Sequence, residues 1–192
     1  PKEAGQWMMW NCVETDAFVK GKAYFVGTKY KSDDFTPYIF KTENYGATWT
    51  KITSGINPLH FTRALRADKK VKGLLYAGTE YGIYISYDDG ANWKTFQLNL
   101  PPVPITDLTI KENDLIVATQ GRSFWVLDDL SVVQQKAVTI LDENLHVFSV
   151  NDAYRFEGYQ NLNAKNAGMN PPNGSVLNYF IKNYTDSSKV SI

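Results

Sequence analysis

The side chains of this 192-residue sequence best suited to chemistry are a few carboxylates, arginines and aromatics. Asp34, Glu80 and Asp107 are the acids that could act together. Two carboxyl groups at a fixed separation, one kept protonated, are what hydrolysis of a glycosidic bond requires. The same acids serve equally well as loop solvation and turn caps. Arg63, Arg66, Arg122 and Arg155 carry guanidinium forks that grip a carboxylate in two places, and three converging forks would hold an acidic sugar. Arg63 and Arg66 are an odd number of residues apart, which on a regular strand sends them to opposite faces. Tyr30, Phe35, Tyr38 and Tyr81 can stack on sugar rings or pack a sheet. His60 and His146 have no cysteine or histidine at ligand spacing, so no metal is expected. Cys12 sits in an apolar run as a structural thiol. Neither Gly-x-Ser-x-Gly nor a phosphate-cradling loop occurs, so no cofactor is expected.

Strands and tight turns must position these groups. Ser86-Tyr87-Asp88-Asp89-Gly90-Ala91-Asn92-Trp93 ends one strand, turns, and restarts another. Ser86 and Asp88 offer oxygens to turn amides, and Gly90 supplies a positive φ without steric cost. Thr42-Glu43-Asn44-Tyr45-Gly46-Ala47-Thr48-Trp49 repeats the arrangement, with Trp49 forty-four residues before Trp93. The turn itself accounts for Asp88, so the Asp88-Asp89 and Asp128-Asp129 pairs are poor catalytic candidates.

Short strands recur in fours around these turns. Residues 7–13, 23–28, 38–41 and 49–52 form one set, with residues 29–36 as an insertion. Residues 61–66, 73–79, 82–86 and 93–96 form the next. A third set runs through 105–110, 114–119 and 124–127, and its outer turn decays to Asp128-Asp129-Leu130-Ser131-Val132-Val133. Leu130 there takes the place of Gly90, and Val133 that of Trp93. Gly27-Thr28, Gly78-Thr79 and Ala118-Thr119 mark a common register. Four strands per period of about 40 residues is the pattern of a β-propeller. Residues 1–136 read as three blades and 137–175 as a post-propeller segment and linker, Asn-, Gly- and Pro-rich towards its end. Residues 176–192 read as the start of a further β module.

The spaced set Ser/Thr-x-Asp/Asn-x-Gly-x-x-Trp is carried by Thr42, Asn44, Gly46 and Trp49, and again by Ser86, Asp88, Gly90 and Trp93. It resembles the Asp box of the BNR-repeat β-propellers. The runs at 74–84 and 114–129 look like the last blades of large sortilin-like bacterial members, often labelled glycosyl hydrolases on the strength of the repeats. Ala153-Tyr154-Arg155-Phe156 and Asn170-Pro171-Pro172-Asn173-Gly174 look like the segments that lead, in those proteins, into an Ig-like sandwich. The resemblance implies an all-β fold: a partial β-propeller of about three four-stranded blades, a linker, and the first strand of a β-sandwich module. It also implies a fragment of a longer, secreted or periplasmic protein.

In such blades the Asp boxes lie away from the ligand face. The loops joining strands two and three, and those joining successive blades, build that face. It would carry Tyr30, Asp34, His60, Arg63, Glu80, Tyr81 and Arg122. The expected partners are a glycan or protein ligand, the remaining blades of the parent protein, and further copies of the fragment through its open strand edges. A binding scaffold is the expected function. The alternatives are a glycoside hydrolase whose site is completed by other blades, and a purely structural fragment. Lysine plus arginine equals aspartate plus glutamate at 20 each, which gives no net pull towards nucleic acid or an anionic membrane. One cysteine forms no internal disulfide, and no apolar run is long enough to span a bilayer.

Overall fold

A computed structural model of the chain describes residues 1–135, 140, 143–153 and 174–183. The chain divides into two compact units, Pro1–Leu130 and Ser131–Ile192. The first unit is a series of antiparallel meanders. Sheet one runs β1 (Met9–Thr15), β2 (Ala23–Lys29), β3 (Asp34–Thr42) and β4 (Thr50–Lys51) in spatial order. Sheet two repeats this with β5 (Thr62–Ala67), β6 (Leu75–Thr79), β7 (Gly82–Ser86) and β8 (Lys94–Thr95). Sheet three is β9 (Ile105–Lys111), β10 (Asp114–Thr119) and β11 (Phe124–Leu127). The first strands β1, β5 and β9 lie beside one another in succession, as the inner strands of adjacent blades do. The fold is all-β, a partial β-propeller.

Burial follows from that stacking. Every residue of β6 and β7 is buried, because the middle blade has a neighbour on both sides. The core between blades one and two joins Val26, Ile39, Ile52 and Ile56 to Leu65, Leu75, Ala77 and Trp93. On β1, by contrast, Met9, Trp10 and Val13 are exposed.

Strand pairing corrects the sequence reading in four places. Among the described residues blade three has three strands, and Ser131–Gln135 is a short helix, α1, where a fourth was expected. Its turn has neither the glycine nor the tryptophan that send the chain back in the other two blades. Leu127 pairs with Leu115 as Ser86 pairs with Leu75, so Leu130 matches Asp89, and Ser131 rather than Leu130 takes the place of Gly90. Likewise Ala23 pairs with Thr42 as Leu75 pairs with Ser86, which makes Gly27 the counterpart of Thr79 rather than of Gly78. The β2–β3 register slips at Thr28, where β3 places Phe35, Thr36 and Pro37 against that one residue. Finally, the insertion is a 3-10 turn at Tyr30–Ser32, and from Asp34 onward it is already β3.

With this register one tertiary hydrogen bond recurs three times. The N–H groups of Tyr45, Asp89 and Leu130 donate to the carbonyls of Gly21, Gly73 and Asn113 at 2.8, 2.9 and 2.7 Å. Each first strand also bulges at the same point, with Asn11, Arg63 and Thr106 as the unpaired residues. In the second unit, β12 (Leu145–Val147), in the stretch expected as post-propeller segment, pairs antiparallel with β13 (Tyr179–Ile181), in the stretch expected to open a further module. Val138, Thr139, Leu141, Arg155 and residues 158–173 lie outside the described residues. Among the described residues no helix is long and apolar enough to cross a membrane.

Candidate functional site

The loop from β6 to β7 and the connection from β4 to β5 meet at one end of the blades. There the Glu80 N–H donates to the Phe61 carbonyl at 3.1 Å. The bulge frees Arg63 from the ladder, and both its Nε and Nη2 reach Glu80 Oε2 at 2.6 Å. The guanidinium lies 5.1 Å from the Phe61 ring centre and 5.8 Å from that of Tyr30. Tyr30 stacks on Phe61 at 5.1 Å and 14°, and the exposed Phe35 tilts against the same ring at 6.1 Å. Phe61 is buried beneath them and is the residue that sequence reasoning missed as the centre of the cluster.

Beside this pair, His60 stacks on the exposed Tyr81 at 4.6 Å, and its Nδ1 lies 2.9 Å from the Tyr84 hydroxyl. Desolvation pushes the His60 pKa below its ordinary value. Sequence neighbours join the two clusters, His60 to Phe61 and Glu80 to Tyr81. The result is a half-exposed platform of rings around one ion pair. Such a surface offers stacking area together with a directional charge pair.

The other expected residues stand apart from it. The Asp34 carboxylate accepts from the Tyr38 hydroxyl at 2.7 Å and the Thr36 N–H at 3.0 Å. Desolvation works against its charge, but these bonds and nearby Lys29 outweigh it and hold the pKa below the usual range. Arg122 is exposed, and its guanidinium makes a long 3.4 Å bond to the Gly121 carbonyl. Asp107 pairs with Arg66 at 2.7 Å on the inner strands, where Arg66 also faces Glu14 at 3.8 Å and the Cys12 sulfur at 3.0 Å. Burial raises the Glu14 pKa, partly opposed by the Ala67 N–H and Arg66. Asp34, Glu80 and Asp107 each have their own partner, Tyr38, Arg63 and Arg66 respectively. The alternation argument for Arg63 and Arg66 loses its premise, because Arg63 is itself the bulged residue and stands outside the regular alternation of the strand.

The opposite end of the blades is structural in character. Asp88 holds its own turn, accepting from the Asn92 N–H and Nδ2 at 2.8 Å each. Asp89 instead ties blade two to blade one: Lys22 lies at 2.6 Å, Lys41 at 2.9 Å and the Tyr24 hydroxyl at 2.5 Å. Nothing in the turn motif distinguishes Asp89. The signal available was the Asp-x₄-Gly spacing of residues 16–21 and 68–73, whose Asp16 and Asp68 cap the inner turns in the same way. Among the described residues no cluster of three His, Cys, Asp or Glu is placed to hold a metal ion.

No protein-family model matches the chain, and no curated protein matches it. Among solved structures it is similar to a GH74 enzyme of Niastella koreensis at 13% identity and a TM-score of 0.48, over 62% of this chain and 21% of that one. It is similar to the GH74 xyloglucanase of Xanthomonas campestris at 14% identity and a TM-score of 0.45, over 73% and 25%. It is also similar to YCF48 bound to D1 peptide at 18% identity and a TM-score of 0.45, over 62% and 36%. The matched parts cover 21% to 36% of those three chains. Likeness at this level assigns the chain neither an activity nor a ligand.

Proposed function

We propose that these blades belong to a sortilin-like propeller of the BNR type that serves as a binding scaffold. Its ligand platform is Tyr30, Phe35, His60, Phe61, Arg63, Glu80 and Tyr81, and its ligand is a glycan. The observation that carries this reading is the Arg63–Glu80 pair seated on stacked rings, with Phe35 and Tyr81 left exposed beside it. Sugars bind by stacking a C–H face on an aromatic ring while charged groups fix their hydroxyls. A hydrolase finds less support here, since the candidate carboxylates are each engaged by a separate cation or hydroxyl. Arg122 is not part of the platform.

A glycan array probed with the wild-type chain tests this. The best-binding glycan is then titrated against Arg63→Ala and Tyr81→Ala. Loss of about tenfold or more in affinity in both variants is expected, as for residues at the centre of an interface. Unchanged affinity in both, with the fold intact by circular dichroism, refutes the platform. No glycan binding at all moves the reading to a protein ligand on the same face.

A further inference from the structure

The way Arg63 and Glu80 meet leaves part of each group unused. Nε and Nη2, one edge of the guanidinium, both converge on Glu80 Oε2 at 2.6 Å. Glu80 Oε1 and Arg63 Nη1 lie outside that contact. Neither side chain has another hydrogen-bond or ion-pair partner among the described residues. Each is 24% exposed, so the pair can be approached from solvent. It is also held in place. The bulge sets where Arg63 leaves its strand, the Glu80 N–H is tied to the Phe61 carbonyl, and the Phe61 and Tyr30 rings lie against the guanidinium. A donor that only donates thus stands beside an acceptor that only accepts.

Charge narrows what fits. The Glu80 carboxylate cancels the Arg63 charge, and the other platform side chains are aromatic, with His60 held towards its neutral form by desolvation. A carboxylated or phosphorylated ligand meets Glu80 as a like charge beside the cation that would hold it. A neutral ligand must instead give a proton to Oε1 and take one from Nη1. Two hydroxyls on adjacent carbons do both, since each hydroxyl donates or accepts as its partner requires. Stacking area lies alongside, because His60 lies against one face of Tyr81 at 4.6 Å while Tyr81 is still 53% exposed.

We infer that the platform selects a neutral sugar by two hydroxyls on adjacent ring carbons, one donating to Glu80 Oε1 and its neighbour accepting from Arg63 Nη1, with Tyr81 against the ring. That choice deepens the glycan reading above, on which it rests, by naming the glycans that bind: those with a free vicinal diol and no acidic group at the site.

The test is ¹H–¹⁵N spectroscopy of the whole chain, following the Arg63 Nε–H and the Tyr81 amide. The methyl pyranosides of glucose, galactose and mannose are each added to about 50 mM, tenfold above a ~5 mM site. The strongest binder is then compared with its monodeoxy analogues, and methyl glucuronide with methyl glucoside. Saturable shifts of both signals are expected, with binding about tenfold weaker when either hydroxyl of one adjacent pair is missing, and no gain from the carboxylate of the glucuronide. Glu80→Gln removes the cancelling charge and keeps an oxygen acceptor, so it should weaken the neutral sugar and rank the glucuronide above the glucoside. Arg63→Lys keeps the charge without the planar fork and should weaken the neutral sugar about tenfold, with circular dichroism checking the fold of both variants. Monodeoxy analogues that all bind within about twofold of the parent, loss confined to a single hydroxyl, or a wild-type preference for the glucuronide overturns the inference and leaves the platform standing. No shift with any of the three pyranosides also overturns it, and the glycan array above then decides whether the platform falls as well.

Discussion

Two adjacent aspartates in one turn give a sharp test of how these blades are held together. Asp88 belongs to the repeated motif, is exposed, and bonds only within its own turn among the contacts described. Asp89 is outside the motif and is the hub for Lys22, Lys41 and Tyr24 of the neighbouring blade. The Lys22 side chain is 4% exposed and the Asp89 side chain 23%. Removing the carboxylate leaves a buried ammonium whose nearest remaining acid is Asp16, at 3.6 Å. Stripping one member from a buried, hydrogen-bonded charge group costs about 3–5 kcal/mol, and the partial exposure of Asp89 argues for the lower end. Asp88→Ala, losing turn bonds in water, should cost about 1 kcal/mol. In a unit of this size about 3 kcal/mol corresponds to a melting shift of ~10 °C. Urea unfolding followed by tryptophan fluorescence measures both variants. If Asp88→Ala proves as destabilising as Asp89→Ala, the inter-blade hub is not what holds this end together. A Lys22→Met background should shrink the Asp89→Ala penalty, because the stranded charge is then gone.

Acid should act through the same hub. Desolvation opposes the Asp89 charge, yet Lys22, Tyr24 and Lys41 outweigh it and hold its pKa below the ordinary carboxylate value. Its stabilisation is therefore complete above about pH 4 and fades as pH falls through the lower folded value, a loss that Asp89→Ala should largely lack in an acid titration of stability. His60, whose pKa burial lowers, should titrate below about 6.5 by NMR and subtract stability as pH drops under that value; a His60 value above it would contradict the packing against Tyr81 and Tyr84. Gly46→Ala and Gly90→Ala share a positive φ, at 87° and 85°, but only the second drives a methyl into Ile52. Gly90→Ala should therefore cost about 1–3 kcal/mol more than Gly46→Ala in thermal melts. Trp93→Phe strands the buried Ile52 carbonyl and should cost about 1–3 kcal/mol from that bond alone, whereas Trp49→Phe loses only a half-exposed bond within its turn.

The blades were legible in the sequence because their signals are local. Alternating apolar runs and a turn built on serine or threonine, glycine and tryptophan need no distant partner to be recognised. What was lost depended on contacts across the chain. The slip at Thr28 was hidden because added residues can be absorbed anywhere along a loop, and only the ladder from Ala23 to Thr42 shows that β3 carries them. The third turn was misread by one residue for a similar reason. Without glycine or tryptophan to anchor it, only the Leu127–Leu115 pair sets its register. The first-strand bulges left no trace, since Asn11, Arg63 and Thr106 share no residue type. Of the expected platform, Tyr30, His60, Arg63, Glu80 and Tyr81 do gather, because loop adjacency follows from topology. Asp34 and Arg122 do not, because adjacency of loops does not dictate which neighbour a side chain chooses.

Both ends of these blades have a repeated backbone, and the side chains that vary on it argue for where specificity resides. At the turn end, one bond from an N–H to an inner-turn carbonyl repeats in all three blades while the residue donating it changes from tyrosine to aspartate to leucine. The backbone there is fixed and the side chain reports what lies beside it: solvent for Tyr45, two lysines for Asp89, the buried interior for Leu130. At the other end a backbone bond also repeats, from the Glu80 N–H to the Phe61 carbonyl at 3.1 Å and from the Gln120 N–H to the Pro104 carbonyl at 2.9 Å, but the bulge beside it releases an asparagine, an arginine and a threonine in turn. A bulge frees a side chain from the ladder without disturbing the strands that carry it. Blades two and three are thus tied by their backbone at both ends, leaving the bulged residues free to differ from blade to blade. Only in blade two does the bulged residue meet a carboxylate and a stack of rings, which is why Arg63 rather than any motif residue is the side chain on which recognition should turn.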